Sequence, residues 1–147
     1  MARILRVPKR RRAEGKTDYK ARLGLLKSGK PRLVIRKTNR YIIAQIVTSE
    51  QAQDKTLVRV SSKDISGFKP GQGKSRKAAY ETGKALAGKA GDVKEVIVDF
   101  GLHRVPAGGR LMSVVQGAVE AGLNIPHNPG ALPSTGDKTK KEQEDRE

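Results

Sequence analysis

The spacing of hydrophobic residues changes along the chain, and between residues 32 and 62 it has the period of β-strands. Three runs rich in β-branched residues alternate apolar and polar side chains. A Thr-Asn pair within Lys37 to Arg40 suits a tight turn after the first run, and the polar stretch SEQAQD precedes the third, KTLVRVSS. The pattern predicts three antiparallel strands in a meander, in which Ile42, Ala44 and Ile46 share one face of the second run while Val58 and Val60 face inward on the third.

After residue 75 the spacing becomes helical. A stripe of mostly small residues would let one helix lie close to a sheet, and a second stripe ends at Gly122. Between them, EVIVDF is too apolar for a sheet edge and follows a helix, which predicts a buried strand parallel to an earlier one. The predicted order is βββαβα, an α/β fold built as a mixed sheet with helices packed on one face. The two stripes comprise Ala78, Ala79, Thr82, Gly83, Leu86, Ala87 and Ala90, and then Leu111, Val114, Val115, Ala118 and Val119.

Both ends of the chain are rich in charge. The N-terminal stretch RVPKRRRAEGK is too charged to be buried and predicts a flexible arm, followed by a short helix between Asp18 and the stop signals Gly29 and Pro31. From Asn128 onward the chain is poor in apolar residues and is expected to be disordered. We therefore divide the chain into an arm with a short helix (1–30), an α/β domain (31–127) and a flexible tail (128–147).

The charge indicates a polyanionic partner. Lys and Arg number 31 against 15 acidic residues, a net charge of +16, and residues 1–40 alone contain 15 basic and 2 acidic side chains. Aromatic residues make up only 3%, no apolar run approaches the roughly 18 residues of a membrane span, and the first residues lack the apolar core of a signal peptide. We expect a cytoplasmic protein that does not bind membranes.

The stretch GFKPGQGKS, residues 67–75, has the composition of a phosphate-binding loop. A nucleotide P-loop requires G-x-x-x-x-G-K-[ST] after a buried strand, but Phe68 occupies the first glycine position and the preceding segment is polar. A second possibility is a loop whose Ser75 caps a helix. The interpretation we favour is contact with a nucleic-acid backbone through the helix amides and the cations Lys69, Lys74, Arg76 and Lys77.

Candidates for catalysis and metal binding are few. Asp99 precedes FGLHR and His103 lies within it, which suggests an acid/base pair, but a lone His without a nearby nucleophile more often bonds a loop or a partner. His103, His127 and the absence of Cys provide no ligand spacing for a metal. The sequence predicts neither an enzyme nor a cofactor.

The type of nucleic acid follows by exclusion. Aromatic residues are too few for a platform that stacks single strands, and neither helix-turn-helix nor zinc-finger spacing is present. Structured RNA, recognised through phosphates, sugars and shape, fits best. Tyr19 and Tyr41 lie in the basic half, where each ring could stack on RNA or belong to the core.

At this point a family resemblance becomes visible. The stretch RRRAEGKTDYKARLGLLKSGKPRLVIRKTNRYIIAQIV resembles the archaeal and eukaryotic branch of the universal large-subunit ribosomal proteins that bind 5S ribosomal RNA, protein eighteen of the large subunit. KAAYETGKALAGKA, VDFGLHRV and GRLMSVVQGAVEAGLNIPH continue the match, so that it covers roughly residues 10–127. The resemblance implies a βββαβα sandwich that binds 5S rRNA and helps attach it to large-subunit rRNA in the central protuberance, beside neighbouring ribosomal proteins.

The resemblance also implies which residues contact RNA. In the arm and first helix these are Arg10, Arg11, Arg12, Lys16, Tyr19 and Arg22; in the first hairpin, Arg32, Arg36, Lys37, Asn39 and Arg40; and beyond it, Lys69, Gln72, Lys74, Arg76, His103, Arg104 and Arg110. Archaeal relatives usually have GNTPAAY where this chain has GKSRKAAY, and the region after NIPH differs as well.

A related family is the alternative. GFKPGQGKSRKAAY and IPHN are similar to a small-subunit platform protein of comparable fold. That family lacks EGKTDYKARL and normally ends in a basic tail, whereas EQEDRE is mostly acidic. A nonspecific DNA-coating protein would share the charge but would not prefer folded RNA over duplex DNA.

Overall fold

A computed structural model of the protein describes residues 7–51, 53–65, 67–69 and 71–133. Its elements, in chain order, are α1 (Arg10–Ala13), α2 (Tyr19–Lys27), β1 (Arg32–Lys37), β2 (Ile42–Glu50), β3 (Gln53–Ser61), α3 (Arg76–Lys89), β4 (Ile97–Asp99), α4 (Arg110–Glu120) and a 3-10 turn at Pro129–Ala131.

The strands form one mixed sheet in the order β3-β2-β1-β4. β1, β2 and β3 pair antiparallel, and β4 runs parallel to β1 because α3 returns the chain across the sheet. The βββαβα order is therefore confirmed. Ile42, Ala44 and Ile46 share one face of β2, as predicted, and that face is fully buried; on β3 the predicted inward residues Val60 and Val58 are nearly fully and partly buried.

Helices α3 and α4 pack against one face of the sheet and against each other. Their contact is close because two glycines face main-chain carbonyls: a Cβ added to Gly83 would lie 2.0 Å from the carbonyl oxygen of Val114, and one added to Gly117 would lie 2.2 Å from that of Tyr80. The predicted stripe on α3 is buried and α3 packs on β2 and β3 as expected, but at Gly83 the close approach is to α4 and not to the sheet.

Two features of the strands differ from the predictions. β2 and β3 extend into the polar stretch predicted as a turn, because Ser49 pairs with Asp54 and Glu50 with Gln53 in the ladder. β4 is an edge strand, so the expectation that EVIVDF is too apolar for an edge was wrong. Val96, the residue before β4, is buried in the core. Its N–H donates to the carbonyl of Asn124 (3.1 Å), so the segment after α4 covers the edge at this point.

The predicted short helix is present as α2, where Asp18 Oδ1 accepts hydrogen bonds from the N–H groups of Lys20 (3.0 Å) and Ala21 (3.1 Å). The arm before it was expected to be flexible, yet it contains the single turn α1, which buries no residue. Contacts beyond α1 support this turn: Arg11 Nε donates to Thr17 Oγ1, and Lys9 Nζ lies 4.6 Å from the ring centroid of Tyr19.

The tail was expected to be disordered from Asn128, but its first residues pack onto the body. Ala131 and Leu132 contact the core cluster, and the Ala131 carbonyl accepts a hydrogen bond from Gly108 N–H at 2.9 Å. The remainder of the predicted tail, residues 134–147, lies outside the described residues. None of the helices in the described part of the chain has the length and apolar character needed to cross a membrane.

Candidate nucleic-acid interface

The β1–β2 turn, the segments that follow β3 and β4, and the starts of α3 and α4 meet at one end of the sheet, which we call the basic end. The parallel pairing of β1 and β4 brings the chain that follows both strands to this end. Antiparallel pairing adds the start of β2 and the end of β3. The exposed cations and amides on these segments include Lys37, Asn39, Arg40, Lys63, Lys69, Gln72, Lys74, Arg76, Lys77, Arg104 and Arg110.

The β1–β2 turn is held rigidly. The N–H and hydroxyl of Thr38 both donate to the carbonyl of Tyr41 at 2.9 Å, and the Tyr41 N–H donates to the Thr38 hydroxyl at 3.0 Å. From the loop after β4, His103 Nε2 accepts a hydrogen bond from the backbone N–H of Lys37 at 3.1 Å. The turn thus presents Asn39 and Arg40 from a fixed backbone.

The bond to Lys37 requires a neutral His103. Partial burial lowers the pKa of His103 below its ordinary value, and the charges of Arg36 and Lys37 lower it further. A neutral ring can accept the Lys37 N–H, whereas the protonated ring cannot. His103 therefore supports the cationic turn near neutral pH, in keeping with the expectation that a lone His bonds a loop; the RNA contact implied by the resemblance stays a prediction.

The loop GFKPGQGKS lies against the same turn. A Cβ at Gly73 would lie 2.9 Å from the ring of Tyr41 and 3.0 Å from the carbonyl oxygen of Arg40, which explains the glycine at this position. Ser75 caps α3 by accepting the N–H of Ala78 at 3.1 Å, as predicted. Arg110 Nη1 donates to the carbonyl of Lys74 at 3.4 Å and so joins the starts of α3 and α4.

A network of arginines and carboxylates runs from Arg36 and Asp99, next to the basic end, to Arg32 and Asp54 at the opposite end of the sheet. Asp99 Oδ2 accepts from Arg32 Nη1 at 3.1 Å, while Oδ1 accepts from Gly101 N–H at 2.8 Å and from Arg36 Nη2 at 3.3 Å. Asp54 bonds to the other side of Arg32 at 2.7 Å and to Arg22 of α2 at 2.9 Å. The network therefore ties α2 and β4 to the middle of the sheet.

The protonation of Asp54 reflects these partners. Burial alone would raise the pKa of Asp54, but hydrogen bonds from Ser49, Arg22 and Arg32 outweigh it and hold the pKa below its usual range. Asp54 is therefore ionised near neutral pH and balances the two guanidinium groups.

Arg32 requires a correction. The resemblance implied that it contacts RNA, but its side chain is only 2% exposed and its guanidinium is occupied by Asp54 and Asp99. A direct phosphate contact by Arg32 is excluded in this conformation, and its role is structural. Arg22 and Arg36 share the same carboxylates, yet their side chains remain 31% and 40% exposed and are accessible to a ligand.

Residues 7–27, which contain α1 and α2 and which we call the helical N-terminal segment, carry the remaining predicted contacts. Arg10, Arg11, Arg12 and Lys16 are exposed. Arg11, Lys16 and Arg22 line a cleft whose opposite wall includes Arg36 and His103, so this segment continues the basic end across the cleft. Tyr19 lies under Lys9, and Tyr41 packs against Gly73, which gives both tyrosines a role within the protein.

The structure thus brings together most of the residues that the resemblance singled out. Lys69 is exposed on the loop before α3, and its carbonyl accepts a hydrogen bond from the N–H of Gln72 at 3.0 Å. Lys63 was missed: it follows β3 directly and is exposed. The antiparallel pairing of the second and third runs could have indicated it, because the end of one strand lies beside the start of the other.

The acid/base hypothesis for Asp99 and His103 is replaced by structural roles. Asp99 accepts from two arginines and one N–H, and His103 accepts from Lys37. Among the residues that the structure describes, no three His, Asp or Glu side chains are grouped so that they could hold a metal ion.

Comparison with known proteins agrees with this arrangement. A family model described as "Ribosomal large subunit proteins 60S L5, and 50S L18" matches residues 3–92. The large ribosomal subunit protein uL18 of Methanoculleus marisnigri is 48% identical over 130 residues, which cover 86% of this chain and 74% of the relative. The protein of the same name from Methanococcus maripaludis is 48% identical over 126 residues, or 83% and 65% of the two chains. The uL18 protein of Caldivirga maquilingensis is 45% identical over 130 residues, which cover 85% of this chain and 62% of the relative.

These matches decide between the interpretations that the sequence left open. They favour the large-subunit protein over the small-subunit platform protein and the nucleotide-binding protein, and they identify a structural component rather than an enzyme. The chain belongs to the uL18 family of large ribosomal subunit proteins.

Proposed function

We propose that the protein binds 5S rRNA through the basic end and the adjoining helical segment, and helps attach it to large-subunit rRNA in the central protuberance. As a member of a large-subunit family, the chain has rRNA and other ribosomal proteins as partners. The observation that carries the choice of surface is the convergence of cations from the β1–β2 turn and the starts of α3 and α4 at one end of the sheet.

The geometry supports recognition of a folded RNA by shape. The turn, the glycine loop and the α3 cap are fixed by internal hydrogen bonds, so little conformational entropy is lost when phosphates bind there. Residues 7–16, which include α1, bury no side chain and can adjust to the RNA surface. Rigid cations would thus set the register, and those of the arm would extend the contact along the backbone.

The test is a competition between 5S rRNA and an equal length of duplex DNA at several salt concentrations. We expect a preference for 5S rRNA of at least a hundredfold, about 2.7 kcal/mol, that persists near physiological salt. If about 6 to 10 phosphates are neutralised, affinity should fall by roughly 10³ to 10⁵ between 50 and 200 mM salt. Equal affinity for the two nucleic acids would reduce the protein to a general polyanion binder and refute the proposal.

A matched pair of double variants tests the surface itself. Lys37→Ala with Arg40→Ala removes two exposed cations from the basic end, whereas Lys84→Ala with Lys89→Ala removes two exposed cations from α3 outside it. Both variants lose the same net charge. We expect the first to weaken 5S rRNA binding at least tenfold more than the second. Equal losses would show that total charge, and not the basic end, determines affinity.

A further inference from the structure

The cleft between the helical N-terminal segment and the loop after β4 has a volume of about 820 Å³, within the range of ligand sites. One wall is formed by residues 16–25 and the other by residues 98–105. Its apolar lining includes Leu25, Val98, Phe100 and Leu102, of which Leu102 is 58% exposed. We call this space the α2 cleft.

The charged groups that line the α2 cleft differ in whether they are available to bind a ligand. Its two carboxylates are engaged within the protein, since Asp18 caps α2 and Asp99 accepts from Arg32, Arg36 and Gly101. Arg11 and Lys16 belong to the exposed segment and are bonded only to surface groups. The cleft therefore combines apolar lining residues with two exposed cations, Arg11 and Lys16.

We propose that the α2 cleft receives one unpaired nucleotide of the bound rRNA, with its base against Leu25, Phe100 and Leu102 and its phosphate near Arg11 and Lys16. This inference rests on the proposed function. A double helix presents phosphates on a convex surface and cannot place its paired bases in a cleft, whereas a nucleotide from a loop or bulge has an apolar, planar base and a charged backbone. The cleft adjoins Arg36 and His103 at the basic end, so the same RNA can reach both surfaces.

Gly24 offers a way to block the cleft without disturbing the fold. It lies within α2 and lines the cleft, and a Cβ at this position meets no atom within 4 Å. Gly88 is its match on α3: it is also helical, a Cβ there meets no atom, and it does not line the cleft. Gly24→Trp and Gly88→Trp therefore place the same bulk inside and outside the cleft.

The experiment measures affinities for 5S rRNA and for a fully paired RNA duplex of the same length. Stacking of one base on a side chain contributes about 5- to 150-fold in affinity, so Gly24→Trp should weaken 5S rRNA binding at least tenfold. Duplex binding should not change, because a paired helix does not enter the cleft. Gly88→Trp should match the unmodified protein with both RNAs.

The alternative outcomes separate the two proposals. If Gly24→Trp binds 5S rRNA as tightly as Gly88→Trp, the cleft does not hold a nucleotide and the function stands; a protein segment then becomes its candidate occupant. If Gly24→Trp weakens both RNAs equally, the inference is also overturned. If the unmodified protein does not prefer 5S rRNA to the duplex, the function fails and the inference with it.

A second measurement does not depend on a variant that folds. Unmodified protein is irradiated with 5S rRNA that carries 4-thiouridine at its unpaired uridines, and crosslinked peptides are identified by mass spectrometry. Crosslinks to residues 16–25 or 98–105 are expected. Crosslinks confined to the β1–β2 turn and the α3 start would contradict occupancy of the cleft.

Discussion

The contact between α3 and α4 makes a sharp prediction about two glycines of the same helix. Gly83→Ala places a methyl group 2.0 Å from the carbonyl oxygen of Val114 and 3.0 Å from the amide nitrogen of Ala118. Neither group can rotate away, because both belong to the backbone of α4. Since an ordinary contact between such atoms is about 3.5 Å, the helices must separate by roughly 1 Å or more. Gly88→Ala on α3 meets no atom within 4 Å.

The two substitutions are expected to change the free energy of unfolding in opposite directions. Overpacking typically destabilises by about 1–3 kcal/mol, and a backbone clash belongs at the upper end, whereas replacing a helical glycine with alanine stabilises by up to about 1 kcal/mol. Gly83→Ala should therefore lose about 2 kcal/mol, which is roughly 4–8 °C in Tm for a chain of this length. Gly88→Ala should gain about 0.5 kcal/mol, since it lies near the end of α3.

The assay is urea and thermal unfolding followed by circular dichroism, with both variants measured beside the unmodified protein. Affinity for 5S rRNA, measured well below Tm, serves as a control and should be retained by Gly88→Ala. If Gly83→Ala proves as stable as Gly88→Ala, then α3 and α4 do not approach each other as closely as described, and the explanation of the small-residue stripe is refuted.

Three further predictions concern the network, the histidine and the arm. Arg32→Met should destabilise by about 2 kcal/mol, because it removes the charged hydrogen bonds of Arg32 while Asp54 keeps Arg22 and Asp99 keeps Arg36. RNA affinity of the folded protein should change less than twofold, and a large loss of affinity at unchanged stability would restore Arg32 as an RNA contact. Because the pKa of His103 is lowered on folding, the unfolded state binds more protons below about pH 6.5, so stability should fall as pH drops from 6.5 through the folded pKa. In urea unfolding, His103→Gln should lack this dependence of the free energy of unfolding on pH, and an identical dependence in the variant would argue against the role of His103. Deleting residues 1–16 should weaken 5S rRNA binding strongly while Tm of the body stays nearly constant, and loss of folding would show that the arm belongs to the core.

The secondary structure was predictable where one periodicity determined the burial of a segment. Ile42, Ala44 and Ile46 alternate because a strand with one buried face leaves no other arrangement, and the small residues of α3 are spaced for a helix that lies close to its neighbour. β4 was wrongly expected away from the sheet edge, because local hydrophobicity indicates the burial of side chains and not the pairing of the backbone. The chain after α4, distant in sequence, covers that edge.

The candidate site was only partly predictable for a related reason. Charge along the sequence counts Arg22, Arg32 and Arg36 alike, although the fold gives them different partners. Asp54 and Asp99, far apart in the chain, both bond to Arg32 and remove it from the surface, while Arg22 and Arg36 keep part of their guanidinium groups exposed. A surplus of cations therefore identifies the class of partner, but the carboxylates decide which cations can meet it.

This division of roles explains how a strongly basic chain can hold a defined surface. Cations gathered at one end of a sheet repel each other, and the repulsion is weaker where carboxylates lie beneath them. Asp99 bonds to Arg36, one residue before Lys37, and to Gly101 N–H at the start of the loop whose His103 holds the Lys37 amide. The same carboxylate network that withdraws Arg32 from RNA thus fixes the backbone from which Lys37 and Arg40 are presented. Loss of Asp99 should accordingly disorder the basic end before it unfolds the helix layer, and amide hydrogen exchange of an Asp99→Asn variant would show early exposure at residues 37–41 and 100–104 with α4 still protected; simultaneous exposure of α4 would contradict this order.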